Sequence, residues 1–204
     1  MEKLDLKKDL KYLYEPSSKS FSVVDVPAMN FIMIDGQGNP NTSVEYAEAI
    51  QALYSSAYTL KFMIKKELGL DYPIMASEGL WWMDDMREFS VARKDDWKWT
   101  MMIMQPEIVT SGLFFLAVAE AAKKKEIPAL ARLRLQTFQE GKAAQIMYFG
   151  PYAEEGPTIA RLHKFIEESG YVRDGKHHEI YLGDPRRSAP EKLRTTIRQP
   201  MKKA

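Results

Sequence analysis

The 204-residue sequence predicts an α+β fold made of a tandem repeat: two strand-strand-helix-strand-strand units whose antiparallel sheets face a central groove. Three observations carry this reading. Apolar residues twice change from alternation to the 3–4-residue spacing of a helix and back, in the same order. Landmarks pair between the halves: Gly36 and Gly38 with Gly150, Gly69 with Gly170, Glu78 with Glu179, and Gln105-Pro106 with Gln199-Pro200. Antiparallel hairpins with helices on one face form two layers. Repeat 1 is expected over about 20–106, a helical connector over about 107–128 and repeat 2 over about 129–200, with 1–204 as a single domain.

Residues 1–20 read as a charged leader, helical to Tyr14 and stopped by Glu15-Pro16. Phe21 to Val26 is a strand, and Pro27 is expected to break it. Met29 to Asp35 is the second strand. Thr42-Ser43-Val44-Glu45 has the spacing of a capping box, and the helix behind it repeats Tyr46, Ile50, Leu53, Ala57, Leu60, Ile64 and Leu68 until Gly69 stops it. The strands Ile74–Trp82 and Trp97–Met104 follow, separated by a polar connection that includes Asp84, Asp85, Arg87 and Arg93. Thr110 to Lys125 is a helix with lysines at its C-terminus, and Pro128 ends the connector. Leu130–Phe138 is strand-like, Gln139-Glu140-Gly141-Lys142 is expected to turn, and Ala143–Phe149 is the next strand. Pro157 suits a helix start, and Gly170 ends that helix. The strand around Glu179 and a last strand over 193–198 complete the second unit.

Composition excludes several classes. Twenty-nine basic against 28 acidic residues give a net charge of +1, without the basic excess of a nucleic-acid footprint. There is no cysteine, so no disulfide framework or thiolate chemistry is expected, and a cytoplasmic setting is. The charged N-terminus lacks a signal-peptide apolar run, and the longest apolar run, Leu113–Ala119, is far short of the ~20 residues of a membrane span. Twelve methionines, 4 tryptophans, 10 tyrosines and 9 phenylalanines are the unusual component. Such residues pack cores and also line adaptable binding surfaces.

Two strands carry one glutamate each among apolar and aromatic residues. On His177–Leu182, alternation puts His177, Glu179 and Tyr181 on one face and Ile180 and Leu182 on the other. On Ile74–Trp82, Glu78 and Trp82 share parity. A carboxylate in an apolar groove loses hydration, and two close together push one pKa up, so one could act as acid and the other as base. Glu78 and Glu179 are therefore the catalytic candidates; solvated residues or structural ion pairs are the plain alternative. Trp82, Tyr148, Tyr181, Leu80 and Met102 are the ligand-binding candidates. Trp81, Trp97 and Trp99 are assigned to the core. Consecutive His177 and His178 diverge and His163 is distant in sequence, so no metal is expected. Gly36-Gln37-Gly38 lacks the lysine and length of a phosphate loop, and no cofactor is expected.

Met29 to Asn41, Glu78-Gly79-Leu80-Trp81-Trp82, His178 to Leu182 and Thr195 to Pro200 together resemble the stand-alone branch of the GyrI-like small-molecule-binding domains, over roughly residues 20–200. The resemblance implies a single GyrI-like domain formed by a duplicated SHS2 module with a central ligand groove. It implies a small hydrophobic or aromatic ligand. In some stand-alone members it implies hydrolysis of the cyclopropane ring of DNA-alkylating natural products, with groove glutamates and aromatic residues carrying the chemistry. The leader before Phe21 is too short for a helix-turn-helix, so a DNA-binding regulator is not expected. The expected activity is hydrolysis of reactive xenobiotics by glutamate acid–base catalysis. The alternatives are a binder that sequesters planar or cationic drugs and a protein-interaction module. A monomer or homodimer with no nucleic-acid or membrane partner is expected.

Overall fold

Strand alternation and helix caps set most element boundaries in the computed structural model, which describes residues 2–86 and 91–204. Met1 of the leader and Arg87 of the polar connection lie outside the described residues. In chain order the elements are β1 (Glu2–Lys3), α1 (Leu6–Asp9), α2 (Lys11–Tyr14), β2 (Ser22–Gln37), α3 (Val44–Leu68), β3 (Leu70–Asp71), β4 (Ser77–Trp82), β5 (Lys98–Gln105), α4 (Ser111–Lys124), β6 (Arg134–Phe149), α5 (Gly156–Glu168), β7 (Tyr171–Arg173), β8 (His177–Tyr181) and β9 (Arg194–Lys203). The fold is mixed α+β.

The caps show how local chemistry fixes these limits. Ser43 Oγ accepts the Tyr46 N–H at 3.2 Å and starts α3, and Gly69 ends it in the left-handed region at φ 66°. The cap is thus Ser43 rather than Thr42, and Glu45 is freed to pair with Arg132. Thr110 caps α4 through the Leu113 N–H at 3.3 Å.

Four local expectations are corrected. Pro27 does not break its strand: β2 runs unbroken from Ser22 to Gln37. Its register with β5 begins at Asn30, beyond the proline, so the missing N–H removes no bond from that ladder. Leu130 belongs to a 3₁₀ segment, Pro128–Arg132, rather than a strand. Gln139–Lys142 does not turn the chain, because β6 continues through it with Gly141 at φ 74°, a conformation glycine takes without strain. Gln199-Pro200 does not close the last strand: β9 continues to Lys203, and Met201–Lys203 pair with β7.

The chain forms two compact units. The first comprises residues 1–8, 29–75 and 81–138. Its strands follow the order β6-β2-β5-β4, and β1 pairs with β3 in parallel. Phe31, Ile32, Ile34, Trp99, Met101 and Ile103 are fully or almost fully buried, and α3 buries Ala49, Leu53, Ala57, Leu60 and Ile64. Gly36 lies opposite Trp99 across the β2–β5 ladder, with the indole where a Cβ would stand. Gly36→Ala is therefore expected to destabilise the protein by about 1–3 kcal/mol through overpacking, read as a lower urea midpoint at unchanged slope.

The second unit comprises residues 9–28, 76–80 and 139–204. Here the order is β4-β8-β9-β7, with β6 also paired to β9. Ala144, Ile146, Leu162, Ile166, Ile197 and Met201 form its apolar cluster, with α5 against the sheet. The segment around α2 is held by its carbonyl oxygens. Tyr12 O accepts from Gln145 at 2.7 Å, Leu13 O from Arg198 at 2.5 Å, Tyr14 O from Thr196 at 2.6 Å and Ser17 O from the Met147 N–H at 3.0 Å. The leader is thus part of this unit's interior, with Leu13 and Tyr14 buried.

Candidate functional site

Successive residues of β8 point to opposite faces, and each face of this strand carries a polar cluster. Both clusters lie within the second unit.

The first is a closed ionic chain. His178 Nε2 bonds Glu78 Oε2 at 2.9 Å and His178 Nδ1 bonds Glu140 Oε1 at 2.9 Å. Arg198 lies opposite His178 in the β8–β9 register. Its Nη1 donates to Glu140 Oε2 at 2.9 Å and its Nε to Gln145 Oε1 at 3.0 Å. The Tyr14 hydroxyl donates to Glu78. Glu78, His178 and Arg198 are each 1% exposed. Burial opposes charge on His178, but Glu140 and Glu78 outweigh it and raise its pKa to about 9. Burial likewise opposes ionisation of Glu140, and His178 and Arg198 bring its pKa down to about 2. Burial, with Glu78 beside it, holds the Tyr14 phenol well above its usual range, so it stays a donor. Two carboxylates against an imidazolium and a guanidinium make the chain neutral. These groups are saturated with one another and hold β4, β6, β8, β9 and the leader segment together.

The second cluster lies on the other face of β8. His177 Nε2 bonds Glu179 Oε1 at 3.0 Å, and the Tyr181 hydroxyl donates to Glu179 Oε2 at 2.7 Å. Glu155, at the N-cap of α5, hydrogen-bonds the same carboxylate. Burial works against ionisation of Glu179, yet the bonds from His177, Tyr181 and Glu155 hold it below the usual carboxylate range. The Tyr152 ring meets Tyr181 edge-on at 5.4 Å. Tyr148 donates to Pro151 O at 3.2 Å, and burial, with Glu154 and Glu155 adding to it, raises its pKa. Half-buried His163 bonds Arg173 at 3.2 Å, and partial burial followed by Arg173 lowers its pKa to about 4. Glu179 keeps 14% side-chain exposure, whereas Glu78 keeps 1%. An ionised carboxylate, a second carboxyl group and two phenols at a partly open face can bind a polarised organic molecule and exchange protons with it.

The family model for the GyrI-like small molecule binding domain matches residues 19–202. The chain belongs to the GyrI-like family. Its β8 strand, His177–Tyr181, falls within the matched region. Among solved structures, an uncharacterized conserved protein from Listeria innocua is 39% identical, with a TM-score of 0.90 over 98% of this chain and 100% of that one. A hydrolase from Listeria innocua is 38% identical, with a TM-score of 0.88 over the same shares of the two chains. The EcmrR C-terminal domain, at 13% identity and a TM-score of 0.57 over 91% of this chain and 98% of that domain, shares the fold. No curated protein matches.

The residues expected from the sequence fall as follows in this GyrI-like chain. Glu179 and Tyr181 bond directly, and Tyr148 lies close to Glu155. Glu78 does not join them: it bonds His178, which leaves β8 on the opposite face from Glu179. Leu80 is 5% exposed and Met102 0%, the latter opposite Met33 in the β2–β5 ladder, so both pack the interior. Trp82 lines a cleft of about 350 Å³ in the first unit with Asp35, Gly36, Gln37, Glu45 and Lys98. Sequence reasoning missed Glu155 and Tyr152, which follow Gly150-Pro151 in a stretch given no element. The available signal was an acid at the N-cap of a helix one strand before Glu179. Glu140 and Tyr14 were missed because one sat in an assumed turn and the other in a leader treated as peripheral.

Proposed function

We propose that this GyrI-like protein is a hydrolase of electrophilic small molecules, with Glu179 as general base and Glu155 as general acid. The observation that carries the reading is Glu179 at a partly open face, bonded by His177 and Tyr181, with Glu155 beside it at the N-cap of α5. The Listeria innocua protein described as a hydrolase, at 38% identity, supports it. The substrate class is a strained cyclopropane conjugated to a carbonyl, as in cyclopropanoid DNA-alkylating compounds. Glu179 takes a proton from water as its oxygen bonds to the ring methylene. The cyclopropane C–C bond breaks, its electron pair moves into the conjugated system, and Glu155 delivers a proton to the carbonyl oxygen. Tyr152 and Tyr181 supply aromatic surface for the planar substrate. Glu78, first expected as the other half of the acid–base pair, is assigned to holding His178, and through it the strand that presents His177 and Glu179. Ring strain supplies much of the driving force, so acid–base help of about 10²–10⁴-fold suffices.

The fold behind this site is proposed to be a duplication of the SHS2 module, repeat 1 over about 20–106 and repeat 2 over about 129–200, within one domain. Support comes from the recurrence of a long helix against antiparallel strands in each unit, α3 with β5 and α5 with β9. A cytoplasmic detoxifying role follows from the proposed substrate; among the described residues no helix is long and apolar enough to cross a membrane.

The test is incubation of the purified protein with a cyclopropanoid alkylator, with mass detection of the product that has gained one water. Accumulation beyond one equivalent per protein is the expected result. Saturable quenching of tryptophan fluorescence without product would replace hydrolysis by sequestration.

A further inference from the structure

The outward face of α3 has almost no charge. Counting 100° per residue, Val44, Ala47, Gln51, Ser55, Tyr58 and Phe62 fall within an arc of about 80°. Val44 is 72% exposed, Tyr58 47% and Phe62 59%, and Ala47 and Gln51 are exposed too. Tyr54, Tyr58 and Phe62 stack along the helix with ring centroids 6.4 and 6.3 Å apart. A solvated helix face is normally charged. Here five turns of it are apolar or uncharged, and α4, packed on α3, adds Phe115 at 66% and Leu116 at 57% exposure.

Size and charge along this stripe are ordered end to end. Small residues, Val44 and Ala47, occupy the N-terminal half, and the large rings of Tyr58 and Phe62 occupy the C-terminal half. Glu45 and Lys65 pair within the chain, with Arg132 and Asp71, which leaves Glu48 near the N-terminal end and Lys66 in the last turn as the charges bordering the stripe. A surface polarised in this way is complementary to itself turned end over end. We propose that two copies of the chain associate through α3, antiparallel, about a twofold axis passing between Tyr54 and Ser55. In that register Phe62 of one copy covers Ala47 of the other, and Tyr58 covers Gln51. Glu48 and Lys66 fall on the same edge of the stripe, so each acidic half lies beside the other copy's basic half. Favourable helix dipoles add to the pairing. The Val44–Phe62 segment is about 28 Å long at 1.5 Å per residue, so the contact is small for an interface. The dimer is accordingly a weak one, with a micromolar dissociation constant.

The sequence contains no cysteine, so a single introduced thiol reports the register without background. In the full-length protein Ser55→Cys places two thiols beside the axis. Val44→Cys places them about 31 Å apart, from twice 10.5 residues at 1.5 Å each. The expected result is concentration-dependent dimer mass in sedimentation between 1 and 100 µM, on the order set by that affinity. Mild oxidation then links Ser55→Cys into a covalent dimer at least tenfold faster than Val44→Cys. Phe62→Glu gives monomer at every concentration with an unchanged melting temperature, because the side chain is exposed in the monomer. Monomer throughout for the natural sequence, assemblies larger than two, or equal cross-linking of both thiols would each overturn the proposal.

Discussion

Glu179→Gln is expected to lower the rate of the proposed cyclopropane hydrolysis by about 10²–10⁴-fold while leaving binding of the alkylator within a few-fold of the original. The amide keeps the shape and still meets the Tyr181 hydroxyl and His177. What it loses is the negative charge that accepts a proton from water. Glu155→Gln is expected to fall short by a similar factor for the opposite reason, since it removes the proton to be delivered. As the pair acts as a unit, the double variant loses little more than either single one. Single-turnover product formation measures all three. A Glu179→Gln protein that turns over at the original rate would remove the base from the mechanism.

The second large effect concerns the buried chain on the other face of β8. Arg198→Met is expected to cost about 3–5 kcal/mol, because Glu140 is then left facing His178 alone in a dry interior. Leu13 O and Gln145 also lose their donor. For a chain of this length that corresponds to a fall in melting temperature of roughly 10 °C. The same cluster sets a pH window. Glu140 has its folded pKa lowered to about 2, so its contribution is complete above the ordinary value of 4.5 and is lost as pH falls toward 2. His178 has its folded pKa raised to about 9, so its contribution is complete below 6.5 and is lost as pH rises through 9. One ion pair underlies both shifts and is counted once. Stability should therefore be greatest between about 4.5 and 6.5 and decline by a few kcal/mol by pH 9.5. In His178→Gln that alkaline decline should vanish. Urea midpoints at pH 5.5 and 9.5 measure it; equal midpoints in the natural protein would contradict the assignment.

Much of this architecture was legible in the sequence, for definite reasons. Caps and periodicity are local, so α3, α4 and α5 could be placed from Ser43, Gly69, Thr110 and Gly170. Parity is also local, and it put His177, Glu179 and Tyr181 on one face of β8, where the structure brings them together. What parity cannot tell is which residues from other strands meet each face. His178 shares parity with Ile180 and was weighed only as a metal ligand, although it recruits Glu78, Glu140 and, through Glu140, Arg198. Glu140 was hidden by Gly141: a glycine after two polar residues reads as a turn, yet here it accommodates a left-handed kink inside one long strand. Pro27 misled in the same way. Glu155 was hidden because the chain between Gly150 and Pro157 has no period, and its meeting with Glu179 depends on how α5 packs on β9.

The central claim is that Glu155 and Glu179 share one proton while Glu179 stays ionised. Carboxyl ¹³C chemical shifts of labelled glutamate, followed with pH and assigned with Glu155→Gln and Glu179→Gln, test it without any substrate. The predicted result is one protonated and one ionised carboxyl at neutral pH, with Glu179 titrating below the usual glutamate range. Two carboxylates both ionised at neutral pH, titrating independently near the ordinary value, would contradict the account.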